Sequence, residues 1–218
     1  MDVEESWNQE SIVRSFLGCP SFLLRAIRYF SNQKHAIENL SRHDDATLQR
    51  YVQDTQAMLG LTAEFDCLEW ASASVQSSSF PTVATQKLSL LAEAYRTAAM
   101  LYGNRVLDAF KAPTMAVVSD NEALVSHLLD VIDSLKSDVA LFKCLLWPTF
   151  IAGLECRAEY EQGLVVKSLK MLWDLTCCLN VIGASNILRG YWEREHAKNH
   201  SAPEQSQLYM VEQGWLLI

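Results

Sequence analysis

The chain has 218 residues, of which half are apolar and a fifth are charged, and its formal net charge is -8 at pH 7. This length suits one domain with a full hydrophobic core, and the composition excludes a largely disordered protein. Because nonspecific affinity for nucleic acid comes mainly from cationic side chains that neutralise phosphates, we expect no direct nucleic-acid binding by this chain.

The first part of the chain predicts three helices. Residues 1–15 carry four carboxylates and little apolar pattern, so we expect a separate acidic segment there. Gly18-Cys19-Pro20-Ser21 is typical of a helix start, since proline is tolerated in a first turn. A second helix is predicted from Asp44 or Asp45 to Gly60, and a shorter third one over residues 62–71. Residues 72–81 hold five serines and a proline, which predicts a mobile loop.

The clearest amphipathic helix is predicted over residues 88–110, where apolar side chains recur at a spacing of three or four. Pro113 is expected to close it. Ser119-Asp120-Asn121-Glu122 then has the form of a capping box, with serine at the cap and glutamate three residues later. The helix that it opens should turn its apolar side inward, namely Leu124, Leu128, Ile132 and Leu135.

The longest apolar run is LFKCLLWPTFIAGLECR, residues 141–157, which we expect to be a core element started by Ser137 or Asp138. Proline lacks a backbone donor and disfavours helical geometry in the preceding residue, so a kink or break is predicted at Trp147-Pro148. A long core helix is predicted over residues 160–183 and a last helix over residues 186–196.

These elements predict an all-α protein in which about seven to nine helices stack as antiparallel pairs in a single domain. We expect the domain to cover residues 16–196, with a C-terminal tail over residues 197–218. No run alternates between apolar and polar residues as β-strands do, and no repeat of fixed period is present.

The six cysteines contain no C-x-x-C pair, and most lie in apolar helical patterns, where a thiol behaves as a small hydrophobe. We expect reduced cysteines in an intracellular compartment, because the acidic N-terminus is unlike a signal peptide and no apolar stretch is long enough to span a bilayer. His196 and His200 have the spacing of metal ligands but no thiol nearby, and adjacent Cys177 and Cys178 would diverge on a helix. We therefore predict no metal site and no cofactor.

Signatures of catalysis are missing, so no catalytic residue is predicted: there is no G-x-S-x-G turn and no glycine-rich phosphate loop. Three polar residues are candidates for a pocket. His127 has Asp130 one helical turn away, and Glu155 and Arg157 lie at the end of the apolar run. Convergence of these three on one apolar cavity would favour a small-molecule binder or an enzyme, whereas separate exposure to solvent would argue against it.

Two motifs carry a family resemblance. LLWPTFIAGLECR, followed later by Asn186-Ile187-Leu188 and Tyr191-Trp192-Glu193, resembles the C-terminal part of the fungal-specific transcription factor domain, and AYRTAAMLY at residues 94–102 is similar to an earlier helix of that family. The likeness extends from about Gly18 to Trp192, without the cysteine cluster that binds zinc and DNA in the family. The residues that carry it are expected to be structural: Tyr95, Arg96, Tyr102, Trp147, Pro148, Gly153, Glu155 and Trp192.

The resemblance implies a regulatory domain without its own zinc cluster, located in the nucleus or, alternatively, the cytoplasm, and involved in control of a fungal metabolic pathway such as secondary metabolism. Its partners would be a full-length zinc cluster regulator, a second copy of the chain, or a small apolar effector held by aromatic side chains such as Tyr95, Tyr102, Trp147, Phe150, Trp173 and Trp192. The alternatives are an enzyme or binding protein on the same scaffold, and a truncated or incomplete gene product.

Overall fold

The computed structural model describes residues 18–38, 45–77, 85–110 and 121–199, which form helices and connecting turns without a β-strand. The all-α prediction is confirmed, as is the predicted number of helices within these ranges. None of these helices combines the length and apolar character that crossing a lipid bilayer requires. In chain order they are α1 (Ser21–Glu38), α2 (Asp45–Ala63), α3 (Cys67–Ser77), α4 (Thr85–Phe110), α5 (Asn121–Leu135), α6 (Val139–Phe142), α7 (Leu146–Glu155), α8 (Glu159–Thr176) and α9 (Leu179–Asn199).

Helix α4 is the centre of the fold, in contact with α1, α2, α3, α5, α6 and α7. Its predicted amphipathic pattern is confirmed, but the helix is buried on more than one side, since small alanine side chains let its neighbours approach closely. Fully buried positions along it include Leu91, Ala92, Ala94, Tyr95, Ala98, Ala99 and Leu101. The helix therefore serves as a shared wall for the whole core.

Helix α7 connects this centre to the C-terminal helices. It packs against α4 and α5 on one side and against α8 and α9 on the other. Nearly all of its residues are buried, and one continuous apolar cluster extends from Cys19 before α1 to Leu188 on α9. The predicted single domain is confirmed for the part of the chain that the structure describes.

The break near Trp147-Pro148 lies earlier than the sequence predicts. Helix α6 ends at Phe142 and α7 begins at Leu146, so both residues of the Trp-Pro step sit in the first turn of α7. The proline causes no kink there, because the N–H groups of a first turn have no partner within the helix in any case. The predicted start at Asp138 is confirmed, since its carboxylate accepts a hydrogen bond from the backbone N–H of Leu141 at 3.3 Å.

The long core helix predicted over residues 160–183 is wrong, because α8 ends at Thr176 and α9 begins at Leu179. Cys177 has φ 48° and ψ 28°, the left-handed geometry that ends many helices. The Thr176 hydroxyl donates to the carbonyl of Leu172 at 2.7 Å and accepts the N–H of Cys178 at 3.3 Å. Gly183 lies inside α9, which also begins earlier than the last helix predicted from residue 186.

Two further boundaries differ from the prediction. Gly60 does not end α2 but is an exposed residue inside it, where a glycine costs about 1 kcal/mol relative to alanine without breaking the helix. Helix α3 runs from Cys67 to Ser77, so it includes much of the predicted loop over residues 72–81.

Several predictions concern residues outside the described ranges. These are the end of the predicted loop, Pro113, and Ser119 with Asp120 of the capping box. The acidic segment and all but the first residues of the predicted tail also lie outside them. Their separation from the helical domain remains a prediction.

The strained geometry of Cys177 leads to a stability prediction. It is the one non-glycine residue with positive φ in the described ranges, and its side chain is exposed, so removing it loses little packing. Left-handed geometry destabilises a residue that has a Cβ by roughly 1–2 kcal/mol, and glycine avoids this cost. Part of the gain is lost, because glycine also increases the conformational entropy of the unfolded chain. We expect Cys177→Gly to raise the free energy of unfolding by about 0.5–1 kcal/mol in urea denaturation, whereas Cys178→Gly should not. A loss of stability in Cys177→Gly would contradict this.

Candidate functional site

A polar cavity of about 640 Å³ lies where the C-terminal ends of α4 and α7 meet the start of α8 and the second half of α9. This volume falls within the roughly 300–1,000 Å³ that is typical of small-molecule sites. Because four helices contribute, a molecule bound there would contact parts of the chain that are far apart in sequence. The lining consists of Arg105, Asp108, Ala109, Leu154, Glu155, Cys156, Arg157, Gln162, Tyr191, Trp192, Glu195 and His196.

An ion pair between Arg105 of α4 and Glu155 of α7 forms one wall of the cavity. Its Nη1 to Oε1 distance is 2.7 Å, and only 22% and 14% of the two side chains are exposed. The same Nη1 donates to the carbonyl of Leu154 at 3.4 Å, while Nη2 donates to the hydroxyl of Tyr191 at 3.4 Å. The Arg105 guanidinium also lies over the Tyr191 ring, 5.4 Å from its centroid. These contacts tie α4, α7 and α9 together.

Arg105 stays charged in spite of its burial. Burial by itself would lower the pKa of Arg105, but the Glu155 carboxylate and Tyr191 raise that pKa above its ordinary value. The Leu154 carbonyl lies in the last turn of α7, where a cation also interacts favourably with the helix dipole. The positive charge of Arg105 is therefore largely neutralised by its own surroundings.

Arg157 is a second cation of the cavity, with different surroundings. It is exposed, directly after α7, and within the described ranges it has no hydrogen-bond or ion-pair partner. Gln162 in the first turn of α8 adds an amide, which now donates to the carbonyl of Cys156 at 3.5 Å. A guanidinium of this kind can bind a carboxylate or phosphate through two parallel hydrogen bonds.

Cys156 lines the same cavity as a protonated thiol. Burial raises its pKa to about 12, with smaller contributions from the carboxylates of Glu161 and Glu155. Because the thiolate is the reactive form of cysteine, this thiol is a poor nucleophile at neutral pH.

The three residues predicted to share a pocket are only partly brought together. Glu155 and Arg157 line one cavity, whereas His127 is exposed on α5 with its Nε2 3.0 Å from Oε1 of Glu93 on α4. Glu93 also accepts from Nη2 of Arg96 at 3.3 Å. His127 thus belongs to a separate surface cluster, so the three residues do not converge on one cavity.

Three residues of the family motifs form an aromatic cluster where α4 meets α7. Trp147 is stacked on Tyr95, with ring centroids 6.0 Å apart and an angle of 5°, and it meets Tyr102 edge-on at 6.2 Å. The Tyr95 hydroxyl donates to the carbonyl of Cys144 at 2.8 Å, and burial raises the pKa of Tyr95 well above its ordinary value. The rings are buried among other core residues and do not line the cavity.

The remaining motif residues join neighbouring helices. Arg96 donates to the carbonyls of Ala63 and Phe65 at 3.5 and 3.4 Å, which ties α4 to the end of α2 and the turn after it. Gly153 allows close packing of α7, since an added Cβ would lie 2.6 Å from Cδ1 of Leu188. The indole N–H of Trp192 donates to the Gly153 carbonyl at 2.8 Å.

Pro148 completes the set as a buried residue in the first turn of α7. Of the eight residues singled out from the motifs, Glu155 and Trp192 line the cavity, so the motifs border the candidate site as well as the core.

Comparison with known protein families identifies the family of this chain. Residues 2–216 match the model of the fungal specific transcription factor domain. The chain belongs to this family. No curated protein and no solved structure matched it. The resemblance seen in the two motifs is confirmed, and a regulator-type role follows from membership of the family.

Arg105 is the main residue of the cavity in this fungal transcription factor domain that the sequence analysis did not predict. A signal for it exists, since Arg105 interrupts the buried side of α4 between Tyr102 and Val106, and Glu155 is the single carboxylate of the apolar run at residues 141–157. Buried charges are almost always paired, so two isolated charges of opposite sign in apolar segments are candidates for one another.

Metal ligands do not cluster in the described part of this family domain, where no group of three or more His, Cys, Asp or Glu side chains could hold an ion. His196 lines the cavity, and His200, its predicted spacing partner, lies outside the described residues. All six cysteines are described, and none is in a disulfide.

Proposed function

We propose that this chain is an effector-responsive regulatory domain whose polar cavity binds a small molecule with an acidic group. The observation that supports this most is the cavity itself, about 640 Å³ in volume. Its lining includes the cation Arg157, which has no ion-pair partner among the residues that the structure describes. A ligand that contacts α4, α8 and α9 at once would stabilise one arrangement of these helices. Binding energy of this kind is what shifts a regulatory equilibrium.

The chemistry of the lining supports an acidic ligand that also carries hydrogen-bond donors. Arg105 is already neutralised by Glu155, so Arg157 is the cation available for a carboxylate or phosphate. The carboxylates of Asp108 and Glu195 on the same lining would repel a second acidic group and accept from a hydroxyl or an amine. A small hydroxy acid or amino acid has this combination of groups.

This effector differs from the apolar one predicted from the sequence. Of the six aromatic side chains predicted to hold an apolar molecule, Trp192 lines the cavity, whereas Tyr95 and Trp147 pack against each other inside the core. The cavity presents charged side chains instead.

Under this proposal the domain works in the nucleus through protein partners, either a full-length zinc cluster regulator or a second copy of the chain, in control of a fungal metabolic pathway. Family membership supports this role. Capture of the tagged chain from fungal nuclei tests it: recovery of a zinc cluster regulator supports the proposal, and recovery of no regulator or transcription component contradicts it.

Thermal unfolding of the whole chain tests the effector site. The probes are a series of small hydroxy and amino carboxylic acids, each measured alone. We expect at least one to raise the unfolding midpoint, because a ligand of the folded state at about 100 times its Kd stabilises by about 2.7 kcal/mol. Arg157→Gln should abolish that shift. Arg189→Gln, which removes another exposed arginine, on α9 and outside the cavity, should keep it.

A reporter assay separates binding from regulation. The whole chain is fused to a heterologous DNA-binding domain, and the reporter output is measured with and without the acid that binds. Regulation predicts a change in output that Arg157→Gln loses and Arg189→Gln retains. If no acid shifts the midpoint, the effector site is contradicted; if an acid binds but the reporter does not respond, the regulatory role of the cavity is contradicted.

A further inference from the structure

The corner between α8 and α9 holds the two exposed thiols of the chain, Cys177 and Cys178. The other four cysteines are buried. On a helix, adjacent side chains would diverge, but these two lie between helices, with Cys177 in left-handed geometry. The premise that argued against their acting together therefore does not hold in the folded chain.

We propose that Cys177 and Cys178 form a vicinal dithiol site that binds one trivalent arsenical. Direct oxidation to a disulfide is disfavoured here, because adjacent Cα atoms are about 3.8 Å apart and disulfides usually need roughly 4.4–6.8 Å. An atom inserted between the two sulfurs lengthens the bridge and removes this mismatch.

The number of available ligands favours arsenic over zinc at these two thiols. Structural zinc takes four protein ligands, and no third or fourth ligand group accompanies these thiols in the described residues. A trivalent arsenical keeps one substituent of its own and needs two sulfur ligands, and Cys177 and Cys178 supply these two. Thiolates suit such soft centres.

The buried cysteines compete poorly for the same reagent. Burial raises the pKa of Cys67 and Cys144 to about 11 and that of Cys156 to about 12, and it raises the pKa of Cys19 as well. Their thiolates are scarce at neutral pH. Cys19 and Cys144 both lie near the Tyr95 hydroxyl and are the other pair to consider, but the core would have to open before a reagent reached them.

The reaction balances without an oxidant. With phenylarsine oxide, two As–S bonds form and both S–H bonds break, and the oxygen of the reagent leaves with the two protons as one water. The arsenic stays trivalent and keeps its phenyl group. Leu175, Leu179 and Ile182 lie within five residues of the two thiols along the chain and are exposed, so they offer apolar surface near that ring.

Intact-mass measurement of the reduced whole chain under native conditions tests the proposal, with phenylarsine oxide as the probe. We expect one phenylarsenic group per chain, retained in excess glutathione and removed by the dithiol 2,3-dimercaptopropanol. Cys177→Ser and Cys178→Ser should each lose the retained adduct, because a single thiol gives a bond that glutathione displaces.

Cys144→Ser is the matched control, because it breaks the buried pair and leaves the corner intact; Cys19→Ser does the same if the first variant fails to fold. Either should retain one arsenical per chain. The proposal is overturned by the absence of a retained adduct in the natural chain, by a retained adduct in Cys177→Ser or Cys178→Ser, or by loss of the adduct in the folded control.

Discussion

Trp147→Ala is expected to lower the free energy of unfolding by about 3–5 kcal/mol, the range seen when a large buried aromatic side chain is truncated. Trp147 is only 5% exposed and lies at the contact of α4 with α7. Its removal would leave the ring of Tyr95 without its stacking partner and Tyr102 without its edge contact. The remaining space is bounded by helices that cannot easily collapse into it.

Guanidinium chloride denaturation of the whole chain measures this loss, with Trp173→Ala as the matched control. Trp173 lies on α8 and is only partly buried, so its truncation should cost clearly less. Equal losses of unfolding free energy in the two variants would show that the aromatic cluster contributes no more to stability than a partly buried tryptophan does.

Glu155→Gln is expected to lower the free energy of unfolding by about 2–3 kcal/mol. Removing one partner of a fully buried ion pair costs about 3–5 kcal/mol, because the other charge is left uncompensated, and the partial exposure of Arg105 and Glu155 reduces this. Glutamine keeps the size of the side chain, so the loss reports mainly on charge.

The chain contains a close control for this second prediction. Lys136 and Asp133 on the surface are also 2.7 Å apart, but 70% of the Asp133 side chain is exposed. Asp133→Asn should therefore change stability by less than about 0.5 kcal/mol. Equal effects of the two substitutions would contradict the importance of burial.

The Glu155 variant also informs the proposed effector site. Without the carboxylate, Arg105 joins Arg157 as a second cation of the cavity without an ion-pair partner in the described part of the chain. An acid that binds at Arg157 should then stabilise Glu155→Gln more than it stabilises the natural chain, because it offsets two charges rather than one. A smaller ligand effect in the variant would argue that the acid does not bind in this cavity.

Much of the fold could be predicted from local pattern. The spacing of apolar residues predicts the long central helix α4 and the buried side of α1. The buried residues of α1 are Leu23, Ala26, Ile27 and Phe30. The family motifs add the contacts around Trp147 and Gly153, since unusual residues in an apolar run mark places where helices pack closely.

The candidate site could be predicted only in part, because its residues come from helices that are distant in sequence. Glu155 and Arg157 can be identified from the sequence because they are charges at the end of an apolar run, but Arg105 lies 50 positions before Glu155. Their pairing depends on how α4 packs against α7. His127 was grouped with them by residue type, and the packing of α5 directs it to Glu93 instead.

By itself, the sequence determined that the chain is all-helical, which sides of its helices are apolar and to which family it belongs, because these depend on the spacing and identity of nearby residues. Only the tertiary structure decided the cavity, the Arg105–Glu155 pair and the corner at Cys177. No glycine or proline marks that corner, so the apolar period continues through it. The chain turns there because Val181, Ala184 and Leu188 of α9 are buried when α9 folds back onto α7 and α8, and such burial depends on contacts between distant segments.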